Sequence, residues 1–593
     1  MSHLLSRILS RRRQTQGIAA LVVLAFTACA GHTQPRASSV AGLATGGLTF
    51  EGGRGNSVNS SLGDYLAGNF ALESGQLAEA ASYFERALIK DPENPDLQRQ
   101  LFLLTLASGQ YDAALERARP LAADDAAVAE AQLLLTLEDV RAGDFDGAHR
   151  RLQALSEEGI AGLTVPFIDA WVLLARGDGN ELDRALARLD QGEALGPLNG
   201  YHRAMMLDLG GRLDQAMAAL NEAMPDAGPA PLRMLQAYAS MLARNDRHRA
   251  AIELVSQQLA ERGEQPVLID LVATLEAGAT PAPPFDDAVG GIADALLGIA
   301  EALHQERGNR MAVVYARLAI FTRRDLAEAS LLIGDMMAQQ GNLEAAIEAY
   351  DAVAPDSVWS YLADLRHARA LHDLEHGEQA FVLLEELAGA APGRIDALVQ
   401  LGDLRRHDES YADAEDAYSR AIARIGEPRR EHWTLFYARG IAYERTKRWP
   451  EAEADFLKAL ELEPEQPFVL NYLGYSWVDM GMHLDRAQGM LHRAVELRPD
   501  DGYIVDSLGW VHFRLGEYEK AVESLERAVV LEPGDPVIND HLGDAYWRVG
   551  RQREARYQWQ RVLTLDPEQD VIADVEQKLR SGLPKPEEQP SRT

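Results

Sequence analysis

The string His372-Asp373-Leu374-Glu375-His376 is the part of this 593-residue chain whose residue types and spacing come nearest to chemistry. It fits the H-x-x-E-H spacing, in which two imidazoles at i and i+4 on one helical face could ligate zinc. Two observations count against a metal: the register of the surrounding chain puts Glu375 in a turn between helices, and no third ligand is identifiable. The reading adopted is a solvated helix end, with no metal and no cofactor. There is no P-loop, no G-x-S-x-G elbow and no Rossmann fingerprint. The single cysteine, Cys29, makes disulfides within the chain impossible. Catalytic groups assembled by the fold from distant residues would leave no such string, so a hydrolase hidden in the array is kept as the lesser class beside a non-catalytic binding scaffold.

Whatever function the side chains have, a repeat must position them. Gly474, Gly509 and Gly543 each follow a leucine, and Pro499, Pro533 and Pro567 recur 34 residues apart. Ala521 and Ala555 hold equivalent places between them. A 34-residue period with this small-residue pattern resembles the tetratricopeptide repeat, two antiparallel helices per unit. Glycine and alanine permit close backbone approach, and proline stops the second helix because it cannot continue the hydrogen-bond ladder. A lone unit cannot bury its apolar face, so the units must stack.

The inter-helix turn keeps the same step elsewhere. Gly75, Gly109, Gly143, Gly177, Gly211 and Asn245 are 34 apart, as are Gly341, Glu375 and Glu409, with Ala346, Ala380 and Ala414 five residues after these last three. The expected fold is all-α: an α-solenoid, or superhelical array, of about 14–15 tetratricopeptide-type helix pairs. Its N-terminal array spans 61–285, ending in the proline-bearing stretch GATPAPPFDD; a middle array spans 286–428; a C-terminal array with a capping helix spans 429–580; and 581–593 is a disordered, proline-rich tail.

Composition agrees: 47% hydrophobic and 25% charged residues, with apolar positions at helical spacing. The net charge of −33 disfavours nucleic acid and acidic lipid, and suits basic or apolar partners; it also serves plainly as a solubility charge on solvated helix faces.

Residues 1–28 read as an export signal, with Arg7, Arg11, Arg12 and Arg13 ahead of an apolar run from Ile18 to Phe26 that is too short to span a bilayer. Phe26-Thr27-Ala28-Cys29 resembles the bacterial lipobox, with Phe26 in place of the usual leucine. The resemblance implies acylation of Cys29, and Ala30 after it implies the outer membrane, on its periplasmic face. Residues 29–60 are then the acylated cysteine and a flexible tether rich in glycine, serine and threonine.

In tetratricopeptide solenoids the first helix of each pair lines the concave groove. Counting its inward positions from Trp433, Pro467, Gly502 and Pro536 brings together Tyr437, Asn471, Tyr475, Asp506, Trp510, Phe513, Asp540, Asp544 and Trp547. These residues predict an aromatic groove with an acidic floor, in which the aromatics grip an apolar or helical segment and the acids select its basic residues. The alternative is that the same aromatics pack within adjacent repeats. Trp477 and Leu508 fall on the packing side.

With lipobox, tether and repeats in place, the chain is similar to the outer-membrane tetratricopeptide lipoproteins of proteobacteria, above all in LNYLGYSWVDMG from Leu470 and DSLGWVHFRLGEYEKAVESLERAV from Asp506. It resembles the lipoprotein adaptors of periplasmic carboxy-terminal processing proteases. That resemblance implies a non-enzymatic scaffold that brings such a protease to cell-wall hydrolases, with protein partners, no nucleic acid, and membrane contact through the lipid alone. A pilus, secretion or peptidoglycan-synthesis assembly lipoprotein is the alternative.

Overall fold

The computed structural model describes residues 61–584, apart from 74–75, 124–127, 156–158, 190–195, 226–229, 263–265 and 307–308. Cys29, the tether, Gly75, Gly308 and the residues after Pro584 lie outside the described residues. Among those described there are 30 α-helices and no strand. None of these helices is long and apolar enough to cross a membrane. The all-α solenoid expected from the repeats is what the chain forms.

Each pair forms for local reasons. Helix Pro536–Arg548 starts on Pro536, whose missing N–H costs nothing in the first turn, and the Asp535 carboxylate accepts from the amides of Val537 and Ile538 at 2.8 and 3.1 Å. Between the two helices of most described pairs the chain reverses through one residue of positive φ, and between Pro467–Asp479 and Leu484–Leu497 through two, Gly481 and His483. Gly109, at φ 75°, donates its N–H to Leu106, and Gln110 donates to Thr105, which satisfies the last carbonyls of helix Pro95–Ala107. The same reversal recurs at the expected residues Gly143, Gly177, Gly211, Gly341, Glu375 and Glu409. The sixth expected position shifts by one: Asn245 keeps negative φ and Asp246 takes the left-handed conformation at φ 55°.

The described chain divides into two compact units, one running to Leu383 and the other from Leu384 onward. In the first, helices Ala288–Gln305 and Asn309–Thr322 fold back after the proline-bearing stretch. They pack on Pro95–Ala107, Ala129–Arg141, Gly159–Arg176 and Gly196–Leu209, the first helices of four successive pairs. The fit is close. A Cβ on Gly291 would stand 2.5 Å from the Trp171 indole. The Arg317 guanidinium donates to the Ala107 carbonyl at 3.0 Å, and the buried Thr164 hydroxyl donates to the Tyr315 hydroxyl at 3.2 Å. Arg233 pairs with Asp294 at 3.0 Å, and the Phe321 ring lies under Arg141 at 4.6 Å. The inner face of this unit is therefore filled by the chain's own helices.

The second unit stacks helix pairs from Asp396–His407 and Tyr411–Arg424 through Pro536–Arg548 and Gln552–Val562, and helix Gln569–Ser581 covers the last pair. Trp477 and Leu508 are buried, as their packing-side positions require. A Cβ on Gly509 would stand 2.6 Å from Leu525 Cγ in the second helix of its pair. Replacing Gly509 with Leu is expected to lower stability by about 1–3 kcal/mol through overpacking. Thermal melting checks this; an unchanged midpoint would mean that the helices do not meet at this residue.

Candidate functional site

The nine residues counted onto the groove separate into three groups. Asn471 and Tyr475 belong to the interior, and Tyr437 to its partly buried edge. The Tyr437 ring packs on Trp433, Phe456 and Tyr472 with centroids about 6 Å apart. Asn471 and Tyr475 are each only 6% exposed, and burial pushes the Tyr475 phenol well above its usual range. Tyr475 therefore faces no open groove, whereas Tyr437 keeps part of its surface in solvent. The reason is steric: helix Pro467–Asp479 is buried on every side from Val469 to Val478.

The acids form the second group, and the chain supplies a cation to each. Asp506 is 1% exposed and lies 3.0 Å from His541 Nδ1 through both carboxylate oxygens. Burial raises the Asp506 pKa, and the neighbouring imidazole pulls it back. For His541 burial works against the charged form, yet the Asp506 carboxylate prevails and the pKa stands above the ordinary value. Lys578, from helix Gln569–Ser581, reaches Asp540 at 2.7 Å and Asp544 at 3.0 Å. Asp544 also accepts from the Trp559 indole at 3.0 Å. Burial, then the Asp540 charge, raises the Asp544 pKa; Lys578 is held charged by the two acids against its own burial. The expected acidic floor is thus a set of internal ion pairs, because a carboxylate this deep requires a compensating charge.

The third group is aromatic and partly exposed. Trp510 stacks on His541 with centroids 4.0 Å apart and planes 16° apart, and on Phe513 at 4.8 Å and 10°. Trp547 leans on Trp559 at 5.3 Å. These three side chains project from the first helices of adjacent pairs, Gly502–Arg514 and Pro536–Arg548, and form a strip with one wet side. Large rigid side chains of this kind supply contact area at low entropic cost. His541 and Lys578, the cationic partners of these three acids, escaped the sequence reading. A signal for them existed: His541 follows Asp506 by 35 residues and Lys578 follows Asp544 by 34, one repeat on.

The histidine string does not form a metal-binding helix face. Helix Ser360–Asp373 ends just after His372, and Glu375 takes φ 64° in the reversal, as its register predicted, so His376 lies beyond the turn. The expectation of a solvated helix end fails for His372, which is buried with its ring 6.0 Å from that of Phe381. Its Nδ1 lies 3.7 Å from the Asp373 carboxylate, and His372, His407 and Asp408 bring ligand atoms within 4.8 Å of one another.

Four stretches match family models of the tetratricopeptide repeat: residues 71–138, 316–360 and 433–466, and, for a model described as TPR repeat, 509–550. The chain therefore carries tetratricopeptide repeats in both units. It is 26% identical over 190 residues to a TPR repeat-containing protein of Pseudomonas aeruginosa, covering 32% of this chain and 31% of that one. It is 28% identical over 129 residues to superkiller complex protein 3 of Mus musculus, covering 21% and 8%. The chain thus spans under a third of the length of these curated relatives. Among solved structures, a tetratricopeptide repeat protein from Parabacteroides merdae aligns with 43% of this chain and 99% of its own, at 15% identity and a TM-score of 0.35.

Removing His541 would leave Asp506 buried beside no cation. His541→Ala is expected to cost about 3–5 kcal/mol near pH 6, where the stabilisation from the raised His541 pKa is already present in full and no longer changes with pH. The Asp506 pKa is already above its unfolded value and rises further without the imidazole, so protonation favours the folded variant and the deficit shrinks as pH falls below 6. Urea unfolding near pH 6 and near pH 4 measures the difference. A pH-independent loss would show that the ion pair is not what stabilises this site.

Proposed function

We propose that this protein is a non-catalytic scaffold that docks protein partners on the Trp547–Phe513–Trp510 strip of its C-terminal repeats. One observation carries the reading: the inner face of the first unit is filled by helices Ala288–Gln305 and Asn309–Thr322, whereas Trp510 and Phe513 in the second unit keep a solvated side. Tetratricopeptide repeats support protein binding in general. Because the acids beneath the strip are already paired, recognition rests on aromatic contact with an apolar or extended segment, and charge on the partner acts at the rim.

The finer reading joins this surface to the N-terminal sequence. Cys29, acylated, would tether the repeats to the periplasmic face of a bacterial outer membrane. Several acyl chains, at about 0.8 kcal/mol per buried CH₂, make a durable anchor. The scaffold would then act as an adaptor bringing a carboxy-terminal processing protease to cell-wall hydrolases. The lipobox-like residues and the family resemblance of Leu470–Gly481 and Asp506–Val529 support this role.

Two variants test the two halves separately. Cys29→Ala is expected to move the protein from the membrane fraction to the soluble one; retention on washed membranes would refute the anchor. Trp510→Ala is expected to keep its helical content and lose its partners in crosslinking of intact cells followed by mass spectrometry. Recovery of a peptidase with cell-wall hydrolases by the unaltered chain supports the adaptor, recovery of secretin subunits supports a secretion role, and an undiminished set with Trp510→Ala rejects the strip.

A further inference from the structure

Helix Gln569–Ser581 ends in a turn that lays the chain against Trp547. Gly582 has φ 71° and ψ −176°, a conformation essentially confined to glycine. A Cβ there would stand 1.9 Å from Trp547 Cζ2, so the backbone lies directly against the indole. Leu583 packs in the same apolar cluster as Trp547 and Phe513. The Pro584 carbonyl accepts from Arg548 Nη1 at 2.6 Å. That guanidinium stands 6.0 Å from the Phe513 ring centre, and Phe513 stacks on Trp510. A turn residue, an apolar contact and a hydrogen bond thus hold the chain against Trp547 and bring it to Pro584, bonded to the Arg548 guanidinium that stands beside Phe513.

We propose that the segment that follows, Lys585–Thr593, docks on the Phe513–Trp510 face, so that the protein carries its own competitor for that surface. The segment has the reach, since nine extended residues span up to about 30 Å. It also has the chemistry: Pro586 and Pro590 favour the extended polyproline conformation, and segments of that kind dock on aromatic-lined surfaces at low entropic cost. A partner segment with the same character, an apolar residue followed by spaced prolines, would have to displace the tail. This second step rests on the docking reading given above; occupancy by the tail does not.

The test uses the full chain with the photoreactive residue p-benzoylphenylalanine in place of Gln589. Irradiation at low concentration is expected to give an intramolecular crosslink to the peptide containing residues 502–514, and Gly582→Ala is expected to reduce its yield about fivefold or more by misdirecting the tail. Crosslinks confined to other regions, or found only between copies, would overturn the proposal. A fluorescent peptide with the sequence of Leu583–Thr593 is expected to bind a chain ending at Pro584 about tenfold more tightly than the full chain, in which the tethered tail competes. Equal binding to both would also overturn it. If the tail crosslinks to residues 502–514 while Trp510→Ala still captures every partner, the tail proposal stands and the docking reading fails.

Discussion

Most helix pairs among the described residues depend on two backbones approaching at one small side chain. Ala80, Ala114, Ala148 and Ala216 in the first unit, and Ala414, Ala452, Ala487, Ala521 and Ala555 in the second, hold equivalent positions in successive second helices, and each is fully buried. Opposite several of them the first helix presents a glycine against a large side chain of the second: Gly402 meets Tyr418, Gly440 meets Phe456 and Gly543 meets Trp559. Small against large at a fixed offset is how close packing is reached without voids. The exception at this step is Leu182, still buried at 7%, in the pair whose second helix is the short Gly179–Leu189.

Close approach also makes the inner surfaces narrow, and this decides what polar groups can do there. A carboxylate on a first helix has little access to water, so it takes its counter-charge from another element: Asp506 from His541, Asp544 from Lys578, Asp294 from Arg233. Breaking such pairs is costly even where forming them contributes little net stability. Trp510, Phe513 and Trp547 keep part of their surface in solvent on the inner side of the second unit.

The fold was legible because the repeat writes it many times. A turn residue every 34 positions fixes where each pair reverses, even where the residue is glutamate, and Glu375 shows that the register was a better guide than residue type. Burial of Trp477 and Leu508 followed from the same register. The inner face was less legible. Inward position does not determine exposure, which depends on how tightly the superhelix winds, and winding is a property of successive interfaces that no single repeat encodes. Tyr475 is buried although its position is equivalent to that of Trp510, which is partly exposed. The packing of helices Ala288–Gln305 and Asn309–Thr322 on pairs far earlier in the chain has no periodic signature at all.

That long-range packing changes what kind of solenoid the first unit is. An ordinary repeat array is nearly one-dimensional: each unit touches its neighbours, and folding can start anywhere and spread. Here Gln100 and Ala107 bond to Arg310 and Arg317, partners 210 residues further along the chain. Bonds of that span turn an open-ended stack into a closed circuit, in which the early pairs gain their last contacts only when the later ones exist. Residues 95–322 should accordingly melt and form as one cooperative block, with the high contact order and slower assembly of a globular domain.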